Sequence, residues 1–241
     1  MNIVPSSLGQ APSPEPIYNR LFQFLDNVLS LFEIKSTNAN GTVVSQEDLI
    51  TQDLVDYLEE KQEFETVDTN IAFKFENQTK EGIGITDIGV RLGRDYSNVN
   101  RKLFCCIEAK RLPTPHRADR DEREYVFVDK TKYTGNGGIQ RFKNGKHAAD
   151  HPYAVMVGYV QEKTPEYWHS KINVWINELA SAHSNGNMNW SNRDEQLTHI
   201  KSLLGMEKYM SINKRDVSND SITIIHYLMN LTEDDLNDNS I

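Results

Sequence analysis

A chain of 241 residues, 38% hydrophobic and 25% charged, can bury a sizeable core without disulfides or a structural metal. Its formal net charge of −9 excludes a uniformly basic surface, and no apolar run reaches the ~20 residues that a membrane span requires. The only cysteines, Cys105 and Cys106, are neighbours; in a strand they point to opposite faces, which disfavours a bridge between them.

That cysteine usage points to a reducing, cytoplasmic setting, and the absence of a CxxC or paired-His pattern gives no zinc motif. The opening MNIVPSSLGQAPSPEP has neither the basic start nor the apolar stretch of a secretory signal, so residues 1–16 read as a flexible Pro/Ser tail. Pro16 then opens a helix with apolar residues at Ile17, Leu21, Phe24, Leu25, Val28 and Leu31 or Phe32. After the loop STNANGTVV, Ser45 is a candidate N-cap. Glu47 and Asp48 sit in the first turn of a second helix, whose stripe at Ile50, Leu54 and Leu58 continues to about Gln62.

Three strands follow, at Ile71–Phe75, Gly84–Leu92 and Leu103–Leu112. The polar insertion PTPHRADRDER and Tyr125–Val128 lead to GNGG, a turn signal before a short helix from Ile139 that carries Gln140 and Arg141. Tyr153–Val160 reads as a buried strand. Thr164-Pro165-Glu166 caps a helix with Trp168, Ile172, Trp175, Ile176 and Leu179 on one face. Beyond SNGNMNWSN, the spacing of Leu197, Ile200, Leu203 and Leu204 predicts another helix. Ser221–Leu231 predicts a last strand, before an acidic tail over 232–241. With no repeats and no long linker, one domain over 17–231 is expected, with the order helix, three strands, helix, strand spanning about 45–160.

Charge is unevenly placed. Residues 91–146 sum to +7 and the remainder to −16, a basic middle suited to a confined phosphate-binding groove. A turn centred between Ser97 and Asn98 brings Asp87 opposite Glu108, and directly opposed residues share one face with Cβ atoms about 4.5–5.5 Å apart. Lys110, two residues on, joins that face. Two carboxylates so close repel, and Lys110 offsets only one charge. A divalent cation would offset the rest, and oxygen donors without Cys or His suit Mg²⁺ or Mn²⁺ better than zinc.

The segments GITDIGV and FCCIEAKRL resemble the second and third core strands of the PD-(D/E)XK, restriction-endonuclease-like nuclease superfamily, with Thr86 standing where the motif has Pro. The resemblance covers about 45–160. It implies an α/β fold with an αβββαβ core, a mixed central sheet flanked by helices, plus an extra N-terminal helix and C-terminal helices and strands. It further implies that Asp87, Glu108 and the carbonyl of Ala109 are metal ligands, and that Lys110 positions or deprotonates water. Glu47 would be the helix acid, with Asp48 and Asp53 as rivals, and Gln140 and Arg141 would assist. Arg111, Arg117, Arg141 and Lys143 would hold nucleic acid, DNA ahead of RNA. The implied activity is Mg²⁺- or Mn²⁺-dependent endonucleolytic phosphodiester hydrolysis, in a setting such as defence against foreign DNA. The chain would act as a homodimer or beside a partner ATPase or helicase chain, with no membrane.

The alternative is a catalytically silent subunit of the same fold that binds nucleic acid or a protein, with the apolar first helix (Phe22, Phe24, Leu29, Phe32) as its docking surface. Four smaller signals compete. GNGG is either a hinge or a phosphate cradle. His147 and His151 lie four apart without the Glu of HExxH. Trp168 and Trp175 fall at core spacing, and Tyr96 and Tyr133 beside the basic stretch are candidate base-stacking rings.

Overall fold

In the computed structural model the described residues are 16–37, 45–65, 72–77, 86–93, 103–133, 136–182, 190–191, 195–218 and 220–232. The 1–15 tail, the 94–102 connection with Tyr96 and its expected turn centre, most of the Asn/Ser stretch and nearly all of the acidic tail lie outside them. The helices are α1 (Pro16–Val28), α2 (Glu47–Glu65), α3 (Gly138–Lys143) and α4 (Pro165–Ser181). The strands are β1 (Ala72–Asn77), β2 (Ile88–Gly93), β3 (Leu103–Leu112), β4 (Tyr153–Val160), β5 (Thr198–Leu203), β6 (Met206–Lys214) and β7 (Ser221–Asn230). A short 3-10 turn, Leu29–Leu31, extends α1.

The strands form one mixed α/β sheet in the order β1-β2-β3-β4-β7-β6-β5. Pairing is parallel for β3/β4 and β4/β7 and antiparallel elsewhere. Parallel strands are buried on both faces, which is why β4 is a near-continuous apolar run. Its Tyr153, Val155, Val157 and Tyr159 pack under α1 and α2, while Ala154, Met156 and Val160 pack under α3 and α4. Alternation on β3 sends Cys105, Ile107 and Ala109 toward α1 and α2, and Cys106, Glu108, Lys110 and Leu112 to the other face. Both cysteines are buried free thiols.

The register of β2 on β3 is the one that the sequence predicts: Ile88 pairs with Ile107, Gly89 with Cys106 and Val90 with Cys105. Asp87 lies one residue before this ladder, and its Oδ2 accepts from Ala109 N at 2.7 Å. A bulge between Val90 and Arg91 shifts the register only on the side away from these acids.

Two expectations are overturned. The residues expected to form a helix at Leu197–Leu204 instead form edge strand β5, which joins β6 through Leu204-Gly205, with Gly205 at φ +65. Leu197, Ile200, Leu203 and Leu204 mimic a helical period, but Gly205 readily adopts the left-handed turn that returns the chain along β5. Likewise α1 is no docking surface: Phe22, Phe24, Leu29 and Phe32 are all buried in the chain's own core. Phe24 stacks on Phe75 at 5.7 Å and Phe32 meets Tyr57 edge-on.

Candidate functional site

The site forms where β2 leaves β3. Strand β3 runs on to Leu112, but its last β2 pair is Ile107–Ile88, so the N–H groups of Ala109 and Arg111 emerge on an edge with no neighbouring strand among the described residues. Buried backbone donors must find acceptors, and two carboxylates serve. Asp87 Oδ2 accepts from Ala109 N at 2.7 Å, and Glu47 Oε2 accepts from Arg111 N at 3.1 Å. Helix α2 begins at Glu47, and its buried stripe Ile50, Leu54 and Leu58 faces the sheet, so the first-turn acid reaches the end of β3. The rivals do not: Asp53 accepts from Lys35 N, Ser36 N and Ser36 Oγ, and Asp48 is exposed.

Lys110 lies at the centre of this cluster. Its Nζ is 3.1 Å from Glu47 Oε1, 3.6 Å from Asp87 Oδ2, 2.9 Å from Glu108 Oε1 and 2.6 Å from the carbonyl of Ala109. Four oxygens from α2, the start of β2 and β3 thus surround one ammonium. Arg141 of α3 adds its Nη1 at 2.7 Å from Glu108 Oε1, and Nδ1 of His147 lies 3.1 Å from Glu108 Oε2. Lys110 and Glu108 are buried, whereas Asp87 and Glu47 keep 15% and 21% of their side-chain surface. The cluster therefore opens to solvent on its aspartate and helix side.

Three carboxylates face two fixed cations, so one negative charge is in surplus. Burial, with Glu108 and Glu47 adding to it against Lys110, pushes the Asp87 carboxyl up to about 7. Burial acts on Glu108 in the same direction, but Lys110, His147 and Arg141 outweigh it and hold that carboxyl at about 2. Burial pulls Lys110 down, yet its three acids prevail and keep it well above the ordinary lysine value. Glu108 is thus the acid that its neighbours hold ionised, and Asp87 is the one whose charged form burial disfavours most.

The donor set is entirely oxygen, which in chemistry suits a hard cation. Among the described residues no group of three His, Cys, Asp or Glu side chains is spaced to hold a metal ion, since the carboxylates are drawn onto Lys110 and the edge N–H groups. Glu108 Oε2 is a buried carboxylate oxygen of the cluster without a hydrogen bond. Glu47, Asp87, Glu108 and the Ala109 carbonyl are the oxygen donors gathered around Lys110.

The remaining predicted residues separate. Gln140 turns away: its Oε1 accepts from Gly137 N at 2.8 Å and Val128 N at 3.2 Å, half of a capping box. The first N–H groups of α3 are taken by the carbonyls of Glu124, Tyr125 and Val126, so GNGG is not a phosphate cradle. Gly137 is required because a Cβ there would lie 2.3 Å from Phe127 Cα. Lys143, expected on nucleic acid, is completely buried and paired with Glu195, so it cannot reach a ligand. Arg111 binds Gln161 at 2.7 Å beside the cluster, and Arg117 is exposed, 3.0 Å from Asp119. Trp168 and Trp175 are core residues, as their spacing predicts.

His147 is the residue that sequence reasoning missed. Its spacing to His151 gave no metal motif, and nothing in the local pattern pairs it with a glutamate 39 positions earlier. Only the path of the chain around α3 brings it to Glu108.

No family model, curated protein or solved structure matches this chain. The fold and the site define an α/β protein with a seven-stranded mixed sheet and a buried carboxylate–lysine cluster at the free edge of its third strand. Among the described residues no helix is long and apolar enough to cross a membrane.

Proposed function

We propose that this chain is a metal-dependent nuclease with a restriction-endonuclease-like core, and that Glu47, Asp87, Glu108 and Lys110 form its reaction centre. The observation that carries the reading is the convergence of three carboxylates and the Ala109 carbonyl on one lysine Nζ, within 3.6 Å. A charge-matched pair would satisfy Lys110. A surplus of acid at a solvent-facing opening is the arrangement that recruits a further cation.

When bound, Mg²⁺ or Mn²⁺ supplies Lewis-acid polarisation of a phosphoryl oxygen and acidifies water. The chain's own groups do the rest. Asp87 and Glu108 hold the cation, Glu47 orients Lys110, and the ammonium of Lys110 stabilises the negative charge that builds on phosphorus-bound oxygens. Substrate is nucleic acid, DNA ahead of RNA. Lys130, Lys132 and Lys146 are exposed on the α3 side and have no ion-pair partner among the described residues. Together with Arg117 they offer phosphate contacts in place of Lys143.

The decisive experiment is Mg²⁺-dependent cutting of plasmid and single-stranded DNA by the full chain and by Asp87→Asn and Lys110→Ala. Loss of cutting by at least about 100-fold in both, with unchanged circular dichroism, is expected. Full activity in either removes the proposed centre.

A second reading has one observation in its favour: every carboxylate of the cluster already has a partner within the chain. It makes the protein a nuclease-fold binding subunit without chemistry. Calorimetry with Mn²⁺ separates the two, because the silent subunit takes up no cation.

A further inference from the structure

The two oxygens of Glu108 are treated unequally. Oε1 receives Lys110 at 2.9 Å and Arg141 at 2.7 Å. Oε2 is buried and has no hydrogen bond, and neither has the buried Nδ1 of His147, although the two atoms are 3.1 Å apart. They are in contact, and neither meets another hydrogen-bond partner among the described residues. A buried carboxylate oxygen without a donor is costly, and Nδ1 of His147 is the polar atom that faces it.

His147 is held firmly in that place. Its backbone N donates to the carbonyl of Arg141 at 3.1 Å, and its ring stands edge-on to the buried Phe142, 5.8 Å between centroids at 83°. Arg141 and His147 therefore come from one short segment, α3 and the turn that closes it, and each addresses a different oxygen of the same carboxylate. The terminal torsion of a glutamate is broad and roughly two-fold, so one holder leaves the plane of the group free. Two holders on opposite oxygens define it.

We propose that His147 is a positioning residue: with Arg141 it sets the plane of the Glu108 carboxylate and so how Glu108 presents oxygen to a cation shared with Asp87. This rests on the reading of the acid cluster as a cation seat. Groups that orient a ligating carboxylate commonly change metal affinity without touching the metal, and His147 stands in that relation to Glu108.

The test is Mn²⁺ titration calorimetry on the full chain, comparing the wild type with His147→Asn, His147→Gln and His147→Ala. The Asn amide nitrogen reaches the position of Nδ1, whereas the Gln amide reaches that of Nε2. Asn is expected to keep affinity within about threefold, and Gln and Ala to weaken it about 10–100-fold, with metal-free DNA affinity in EDTA the same in all four. Rescue by Asn but not Gln is a readout that a merely space-filling role would not give, and this pair carries the test if Ala does not fold. Wild-type affinity in Gln, or equal losses in Asn and Gln, would overturn the proposal. A wild-type chain that takes up no Mn²⁺ overturns the cation seat itself, which is a different and recognisable failure.

Discussion

Two buried lysines of this molecule sit in opposite kinds of surroundings. Lys143 has no exposed surface and is paired with Glu195; the carbonyl of Lys214 lies 3.0 Å from its Nζ and the face of Trp190 at 4.9 Å. The second oxygen of Glu195 is occupied by Ser191 N at 2.7 Å. Within this pair the charges match. Lys110 instead meets three carboxylates, one of which also needs Arg141. The first arrangement ties the 190s segment to α3 and β6 and is complete. The second gathers three acids around one ammonium, and its Asp87 carboxyl is raised to about 7, by burial first and by Glu108 and Glu47 in addition. Burial of a lysine is therefore uninformative by itself; the balance of charge around it separates a structural tie from a candidate reaction centre.

The largest effects should come from removing either ammonium. Both Lys110→Met and Lys143→Met strand a buried carboxylate and should each cost about 3–5 kcal/mol in urea unfolding. Millimolar Mg²⁺ should restore part of the loss in Lys110→Met, whose acids can accept another cation, and none in Lys143→Met. Equal behaviour of the two in Mg²⁺ would erase the contrast. The double replacement Lys143→Met with Glu195→Leu should return stability to within about 1–2 kcal/mol of the wild type.

Next comes a pH effect from a third, neutral group. His226 is buried, with Tyr125 Oη 3.0 Å from Nδ1 and Ser211 Oγ 2.9 Å from Nε2. Burial, with a small addition from His169, depresses it from 6.5 to about 3. The native state then binds fewer protons than the unfolded chain between these values. Its contribution is complete above 6.5 and is lost as pH falls toward 3, with a slope of up to about 1.4 kcal/mol per pH unit. Urea midpoints from pH 7 to 4 should fall more steeply in the wild type than in His226→Gln.

Smaller effects follow on α3 and at the surface. Gln140→Ala leaves the N–H groups of Gly137 and Val128 without their acceptor and should cost about 1–3 kcal/mol, with Mn²⁺ affinity unchanged in the folded protein. A loss of cutting larger than the loss of folded protein would return Gln140 to the reaction centre. Arg117→Ala removes an exposed pair with Asp119 and should change stability by less than about 1 kcal/mol. Its effect should be confined to the salt dependence of DNA binding, measured by fluorescence anisotropy.

Local pattern carried much of this molecule. Strands β3 and β4 begin and end where their apolar runs do. Thr164 caps α4 by accepting from Tyr167 N, and Glu47 proves to be the helix acid that reaches β3. Reading failed where two periods coincide, at Leu197–Leu204, and where a side chain's fate depends on distant partners. Gln140 and Lys143 are indistinguishable in sequence from exposed helix residues, but α3 is only six residues long and packs so closely that both turn inward.

What the amino-acid order determined by itself is the set of short-range relations: the period-two faces of β3 that put Glu108 and Lys110 together, and the hairpin register that set Asp87 beside them. Those follow from backbone geometry over a few residues. The tertiary structure alone decided how many charges meet at Lys110, which basic residues remain free for a ligand, and that His147 stands against Glu108. These depend on where β2 departs from β3 and how the chain winds around α3, which packing across the whole sheet determines.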